Sequence, residues 1–367
     1  MSLNKVLILT GSISRTTGGM HSYLYGLCES LFAANIDFEL CIVDGNNIDP
    51  RFIEFSKHIK SYNFLFHKKF YFSPGMFYNV LNSDYSCIYL HGTWASTSIL
   101  TILKFFFNKT KYIVVPHGMY CGKLTLNKKI GFLWERILVK YAYFIQALNT
   151  AEYDCIKSLF KNAKIKVIYP GLSMSYKHDD DNFIKDLPSS YCLYIGQLHP
   201  RKNLINMIRA WNNFKSEHRE ELTLVIAGFG DDEYSNFVLN EIAMSNNIYF
   251  IGPVYGKKKH FLLSNAVCSF LFSHSEGLPT SLLESVYCDT PIICSINCNV
   301  LDLFNSLDFE FQIFLSGETN EYSISNLLKI YFNLNTNQKK KYISSLKYDL
   351  NKKINWSNTL NLFDNDN

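Results

Sequence analysis

The sequence predicts an α/β protein built as two Rossmann-like αβα domains facing a cleft. Three observations carry that prediction. Short apolar runs with the length and composition of buried strands recur along the chain. Most run into loops rich in Gly, Pro or His and then into stretches with helical spacing, the alternation expected of parallel sheets. The chain's 367 residues favour two such domains over one. The expected boundaries are 1–170 and 171–354, followed by a last helix in 355–367.

Composition narrows the class further. The chain is 47% hydrophobic and 19% charged, the profile of an ordinary soluble globular protein. No apolar run approaches the ~18–20 residues of a transmembrane helix. The start has one Lys and a short apolar run, Val6 to Leu9, too short for a signal peptide, so it reads as a first strand. Ten cysteines lie scattered with no Cys-x-x-Cys pair, mostly among apolar neighbours. They read as reduced core residues of a cytoplasmic protein, with no metal site among them. Residues 1–170 carry 19 Lys/Arg against 10 Asp/Glu, whereas 171–367 carry 17 against 22. That asymmetry turns any anionic surface, such as the inner face of a cytoplasmic membrane, toward the first half. Nucleic acid is the rival partner, but no helix-turn-helix, zinc or base-stacking motif accompanies the charge.

In the first half, Val6-Leu7-Ile8-Leu9 is a strand and Gly11 to Thr17 a polar loop. Gly18-Gly19-Met20 then opens a helix with Tyr23, Leu24, Leu27 and Leu31 on one side. The loop is not Gly-x-Gly-x-x-Gly, so hydride chemistry on a dinucleotide loses support. A Gly pair at a helix start either makes a simple turn or lets a ligand approach the backbone closely. Glu39 to Val43 is the next strand. Cys87-Ile88-Tyr89-Leu90 ends in His91-Gly92-Thr93-Trp94, and Lys111 to Val115 ends in Pro116-His117-Gly118-Met119. Two histidines thus emerge beside glycines at the carboxyl ends of buried strands, where a pocket forms in such folds. A lone His is more often a satisfied structural residue, and that reading stands beside the functional one. Lys104 to Lys109 and Leu126 to Leu148 interleave basic and aromatic residues at helical spacing. Core packing and binding to a headgroup layer, through Lys128, Lys129 and Lys140, both fit. Phe144 to Leu148 is a further strand, and Asn149-Thr150-Ala151-Glu152 caps the helix after it. Val167 to Gly171 closes the domain.

The second half begins with a polar linker, Ser173 to Ser190. The strand Tyr191 to Ile195 leads into Gly196-Gln197-Leu198-His199-Pro200-Arg201-Lys202. Cations at a helix entry oppose the helix dipole by ~0.3–1 kcal/mol, which points to a bound anion. Leu224 to Ala227 ends in the turn Gly228-Phe229-Gly230. The apolar run Ala266 to Phe272 is followed by Ser273-His274-Ser275-Glu276-Gly277-Leu278-Pro279-Thr280-Ser281-Leu282-Leu283-Glu284. Gly277 and Pro279 break the strand, and Thr280 or Ser281 caps a short helix. Its N-terminus suits a phosphate, and the carboxylates of Glu276 and Glu284 suit sugar hydroxyls. Glu284, expected in the first turn, also fits a capping box with Ser281. Thr319 to Leu350 reads as helical.

With SEGLPTSLLESVYCDTPII around them, Glu276 and Glu284 resemble the Glu-x7-Glu signature of retaining glycosyltransferases with two Rossmann-like domains, the GT-B fold, family 4. The likeness spans nearly the whole chain, is densest over 191–294, and implies that the last helix, 355–367, crosses back to join the first domain. It implies that Gly18 and Gly19 lie in a loop closing on the donor phosphate. It likewise implies that His117 lies over the donor sugar, and that Lys202 holds the donor pyrophosphate. Gln197 stands where the family has an Arg, a charge Arg201 is placed to replace. Tyr169-Pro170 departs mildly from the family's Pro-Asn. Gly228, Gly277, Leu278, Pro279 and Thr280 would border the donor, Glu276 would orient its sugar, and Glu284 its ribose. His91 and Trp94 are the acceptor-side candidates.

The resemblance implies transfer of a hexosyl group from a nucleoside diphosphate sugar to a glycan or lipid-linked acceptor, with the α-configuration retained. The setting would be bacterial O-antigen, lipopolysaccharide or capsule synthesis at the inner membrane face. Neither a cofactor nor a metal is expected, because cationic side chains and a helix N-terminus serve the diphosphate. The rivals are a GT-B epimerase or hydrolase, needing further carboxylates that the first half does not offer as a convincing pair, and a non-catalytic nucleotide-sugar-binding partner.

Overall fold

The computed structural model divides into two compact units, Met1–Ser173 with Asn355–Asn367, and Met174–Ile354. It describes residues 5–14, 19–43, 48–65, 70–121, 126–174, 187–217, 221–230 and 232–363, with 126–130, 216 and 217 described by their backbone alone.

In the first unit the chain runs β1 (Val6–Leu9), α1 (Gly19–Ala33), β2 (Phe38–Val43), a 3-10 segment (Pro50–His58) and β3 (Ile59–Tyr62). It continues through α2 (Pro74–Asn82), β4 (Cys87–His91), α3 (Ser96–Asn108), β5 (Lys111–Val115) and α4 (Leu126–Tyr141). The last elements before the second unit are β6 (Phe144–Ala147), α5 (Thr150–Leu159) and β7 (Ile165–Val167). The strands form one parallel sheet in the order β3-β2-β1-β4-β5-β6-β7. Helices cover both faces of such a sheet, so its inner strands are buried and mostly apolar. β1, β2, β4 and β6 are buried at every residue, whereas the edge strands β3 and β7 place Lys60, Ser61 and Lys166 toward solvent. Charged edges of this kind discourage pairing with a further strand. The core of the unit joins Leu7, Leu9, Ile88, Leu90, Val114 and Ile145 to the helices.

Lys104 departs from expectation. It is fully buried, and its Nζ donates to the carbonyls of Leu81 and Ser83 at 2.9 and 2.6 Å, closing the C-terminal end of α2. Burial pushes its pKa down. It is an internal helix-end donor, so it leaves the membrane-facing set.

The chain returns to this unit at its end, through α13 (Ser357–Leu360), labelled here after the helices of the second unit. Trp356 holds it there: a Cβ on Gly26 or Gly171 would collide with the Trp356 indole, so the absence of side chains at these two positions makes its seat. The Trp356 ring meets Tyr23 edge-on at 5.4 Å.

The second unit comprises β8 (Tyr191–Ile195), a 3-10 turn (Pro200–Lys202), α6 (Leu204–Glu217), β9 (Thr223–Ala227), α7 (Glu233–Ala243) and β10 (Ile248–Phe250). Then follow α8 (Gly256–Asn265), β11 (Cys268–Leu271), α9 (Thr280–Tyr287), β12 (Ile292–Cys294), α10 (Phe309–Gln312), α11 (Glu321–Phe332) and α12 (Thr336–Lys353). Its sheet is also parallel, ordered β10-β9-β8-β11-β12. The helical region after residue 319 is two helices. Asn335 and Gln338 form a reciprocal capping box that starts α12 after a break. All ten cysteines are free, and seven are buried.

Candidate active site

In the second unit, β8, β9 and β10 lead toward one edge of the sheet, and β11 and β12 toward the other. The reversal falls between β8 and β11, and ligands of open α/β sheets bind beyond the carboxyl ends of strands at such a point. The loops leaving these two strands are stitched together there. The N–H of His274 donates to the carbonyl of Arg201 at 2.8 Å. Lys202 Nζ lies 2.5 Å from Glu276 Oε1, which also accepts from Ser273 Oγ at 2.6 Å. Ser295 Oγ donates to the Ser273 carbonyl at 2.7 Å, and Asn299 Nδ2 to the Glu276 carbonyl at 2.8 Å. Glu276 is therefore held at main chain and side chain alike.

Lys202 is largely withdrawn from water: its side chain is 14% exposed and that of Glu276 8%. A lysine extended over a sheet end beside a buried carboxylate finds a better partner there than water. Arg201, on the same turn, is exposed. Asn203, in the left-handed region at φ 58°, ends the turn and is tied to the Thr319 carbonyl at 2.6 Å.

Glu284 also differs from its capping-box reading. Pro279 is the N-cap of α9, no side chain caps that end, and no acidic residue lies in the first turn. Glu284 is instead buried one turn further in and pairs with Lys259 of α8. A Pro at the cap starts the helix earlier than a Ser281 cap would, which moves Glu284 out of reach of the N-terminal N–H groups. Gly277 and Leu278 are partly buried just before Pro279, and Thr280 is the first helical residue.

The glycines of the β9 loop have a steric cause. A Cβ on Gly228 would collide with the carbonyl oxygen of Gly196, and one on Gly230 with Ser235 Oγ. Only glycine lets the β8 and β9 loops approach this closely. Gln197 lies partly buried on the first of these loops.

In the first unit the sheet reverses between β1 and β4. Gly19 begins α1, and Gly18 lies outside the described residues. His91 ends β4, and His117 follows β5 in the left-handed region at φ 53°. Adjacent parallel strands and that turn bring the rings together, with His91 Nδ1 2.9 Å from His117 Nε2. Tyr23 packs against both rings at 5.1 and 5.2 Å, and Tyr89 meets His91 edge-on at 4.5 Å. Desolvation drives His91 well below its usual pKa, helped by His117, and holds His117 down to about 3. Both imidazoles are neutral at physiological pH. His91 is 2% exposed, its ring enclosed by His117, Tyr23 and Tyr89. Trp94 is partly buried at φ 65°, its indole N–H donating to the Met119 carbonyl at 3.1 Å.

Two supporting carboxylates escaped sequence reasoning. Glu152 accepts from Gly118 N at 2.5 Å and Leu148 N at 2.8 Å, pinning the His117 turn to the end of β6. Glu135 accepts from Trp94 N at 2.7 Å and Tyr120 Oη at 2.6 Å. Burial raises the pKa of each. Both bind backbone N–H groups, so they position loops and are not the free acid/base pair an epimerase needs. Asn149-x-x-Glu152 signalled a helix start and does cap α5 through Asn149, but nothing local marks the Glu152 side chain as the anchor of residue 118.

Residues 177–344 match the model of the family "Glycosyl transferases group 1". That match falls within the second unit and covers most of it. An uncharacterized glycosyltransferase of Methanocaldococcus jannaschii is 25% identical over 306 residues, 78% of this chain and 75% of that protein. The O-antigen chain mannosyltransferase B of Escherichia coli is 27% identical over 107 residues, 29% of this chain and 28% of its own length. Among solved structures, Anabaena HepE in complex with UDP and glucose superposes with a TM-score of 0.72 at 14% identity, over 98% of both chains. The fold is thus GT-B, two Rossmann-like units with parallel sheets. Within the region that matches the family model, the loops after β8 and β11 carry Lys202 and Glu276.

Proposed function

We propose that the protein is a retaining hexosyltransferase that uses a nucleoside diphosphate sugar as donor and a glycan or lipid-linked sugar as acceptor. The observation that carries this reading is the Lys202–Glu276 cluster at the strand-order reversal of a group 1 glycosyl transferase domain. As the sugar C1–O bond breaks, its electron pair passes to the distal phosphate. Lys202, Arg201 and the uncapped start of α9 stabilise that charge, so no metal is called on. Glu276 orients sugar hydroxyls, Glu284 accepts from the ribose, and His117 hydrogen-bonds the sugar near its reacting carbon. The acceptor oxygen forms the new bond to C1 while its proton passes to the departing phosphate oxygen, and no side chain is assigned as a covalent nucleophile. The O-antigen mannosyltransferase among the relatives supports a bacterial surface polysaccharide as the product.

A basic and aromatic surface on the first unit supports residence on an anionic membrane face. Phe106, Phe107, Tyr141 and Tyr143 are exposed there. Lys109 lies over Phe106, Lys140 over Tyr141 and Lys111 over Tyr143, the last at 3.8 Å. Lys128 and Lys129 lie outside the residues with described side chains. Among the described residues no helix is long and apolar enough to cross a membrane.

The test is a panel of nucleoside diphosphate sugars assayed with lipid extract from the native cell. Acceptor-dependent release of diphosphate with an α-linked product is expected. Turnover that ignores added acceptor would indicate an epimerase or hydrolase, and binding without turnover a non-catalytic partner.

A further inference from the structure

The contact between His91 Nδ1 and His117 Nε2 joins two neutral rings, so one nitrogen carries the proton and the other accepts it. The direction is decided at the far side of His91. Its Nε2 is buried and has no hydrogen-bond partner among the described residues. If His117 donated, His91 would carry its own proton on Nε2, leaving a buried N–H with no acceptor. If His91 donates, Nε2 is a bare lone pair. A buried orphan donor is rarer than an under-used acceptor. The Tyr23 and Tyr89 rings hem His91 in, while Glu152 anchors Gly118 and thereby the turn that carries His117.

We infer that His91 is a positioning residue that donates from Nδ1 to His117 Nε2, locking His117 in the tautomer whose Nδ1 carries the proton. His117 then offers a ligand the N–H of Nδ1, and its one acceptor lone pair, on Nε2, is already occupied. It recognises an oxygen with a free lone pair, such as a sugar hydroxyl or ring oxygen, and cannot serve as a general base. In its bearing on transfer this rests on the function proposed above; the tautomer itself does not.

Nitrogen-15 NMR of the histidine-labelled full chain near neutral pH reads the tautomer without any substrate. The expected spectrum has a protonated Nδ1 and an unprotonated Nε2 on His117; the reverse overturns the assignment. In His91→Leu, His117 should relax to a mixture of tautomers, and kcat should fall by about tenfold with KM little changed. His91→Asn, whose amide N–H reaches the position of Nδ1, should restore the His117 signal and most of kcat. A His117 tautomer unmoved in His91→Leu would also overturn the inference. If the tautomers behave as stated while His117→Ala transfers sugar normally, the tautomer assignment stands and the functional reading of His117 falls.

Discussion

Lys202 and Glu276 neutralise each other across 2.5 Å at the ends of β8 and β11, two residues 74 apart in sequence. Each is therefore the other's counter-charge before any ligand arrives, and a diphosphate must draw Lys202 away from the carboxylate. Lys202→Ala should cut turnover by ~10²–10³, the usual effect of losing one stabiliser of developing charge. It should also destabilise the unit, because a charged hydrogen bond of this kind contributes ~1.5–3 kcal/mol. Adding Glu276→Gln should recover much of that stability and none of the turnover. Urea unfolding and steady-state rates on the native protein and the two variants check this, and a fall in turnover below about threefold, under ~1 kcal/mol, would transfer the role to Arg201.

The two glutamates should separate by ligand. Glu284→Gln should weaken both donor and free nucleoside diphosphate by ~1.5–3 kcal/mol, since the ribose is common to both. Glu276→Gln should spare the diphosphate, and freeing Lys202 favours it further, while transfer falls. Calorimetric titration of both variants with both ligands decides this. Equal losses everywhere would undo the assignment of one carboxylate to the ribose and the other to the sugar.

Acid should destabilise the first unit through its histidines. An unfolded His takes up a proton near its ordinary pKa of about 6.5. Folded His91 and His117 resist until far lower, His117 to about 3. Below about pH 6.5 the unfolded chain binds more protons, so stability falls as pH falls, by about 1.4 kcal/mol per pH unit for each ring. His91→Asn removes one ring, and its unfolding free energy should vary less steeply by that amount between about pH 6 and about pH 4. Denaturant titrations across that range measure the slope; an unchanged slope would show that His91 titrates alike in both states.

Binding to anionic vesicles should be salt-sensitive, since each Lys near such a surface contributes about 1 kcal/mol. Replacing Lys109, Lys111 and Lys140 with Gln should release the protein in a flotation assay. Undiminished binding by that triple variant would remove this surface from the membrane proposal.

Chelation should leave transfer unchanged if Lys202 and Arg201 carry the diphosphate charge. The measurement is the initial rate with and without EDTA. Complete loss, restored by Mn²⁺ or Mg²⁺, would replace the side-chain account with a metal-bridged one.

The α/β class and the placement of both clusters were legible in the sequence, because they depend on short-range pattern. Runs such as Leu224-Val225-Ile226-Ala227 signal strands buried on both faces, and Gly277, Pro279 and Gly118 mark where strands stop. The positions of His91, His117 and Glu276 at strand ends follow from those local signals. Which groups meet could not be read this way. His91 finds His117 because β4 and β5 are parallel neighbours whose ends coincide, and Lys202 finds Glu276 because β8 and β11 flank the reversal of strand order. No local signal names the protein partners of Lys104, Lys202 and Glu284, yet each is wholly or largely withdrawn from water and paired. The sequence alone thus determined the elements and the ends at which chemistry sits. Tertiary structure decided the partners, because a parallel sheet sets distant strand ends side by side, and desolvation there strengthens the pairing of the polar groups that meet.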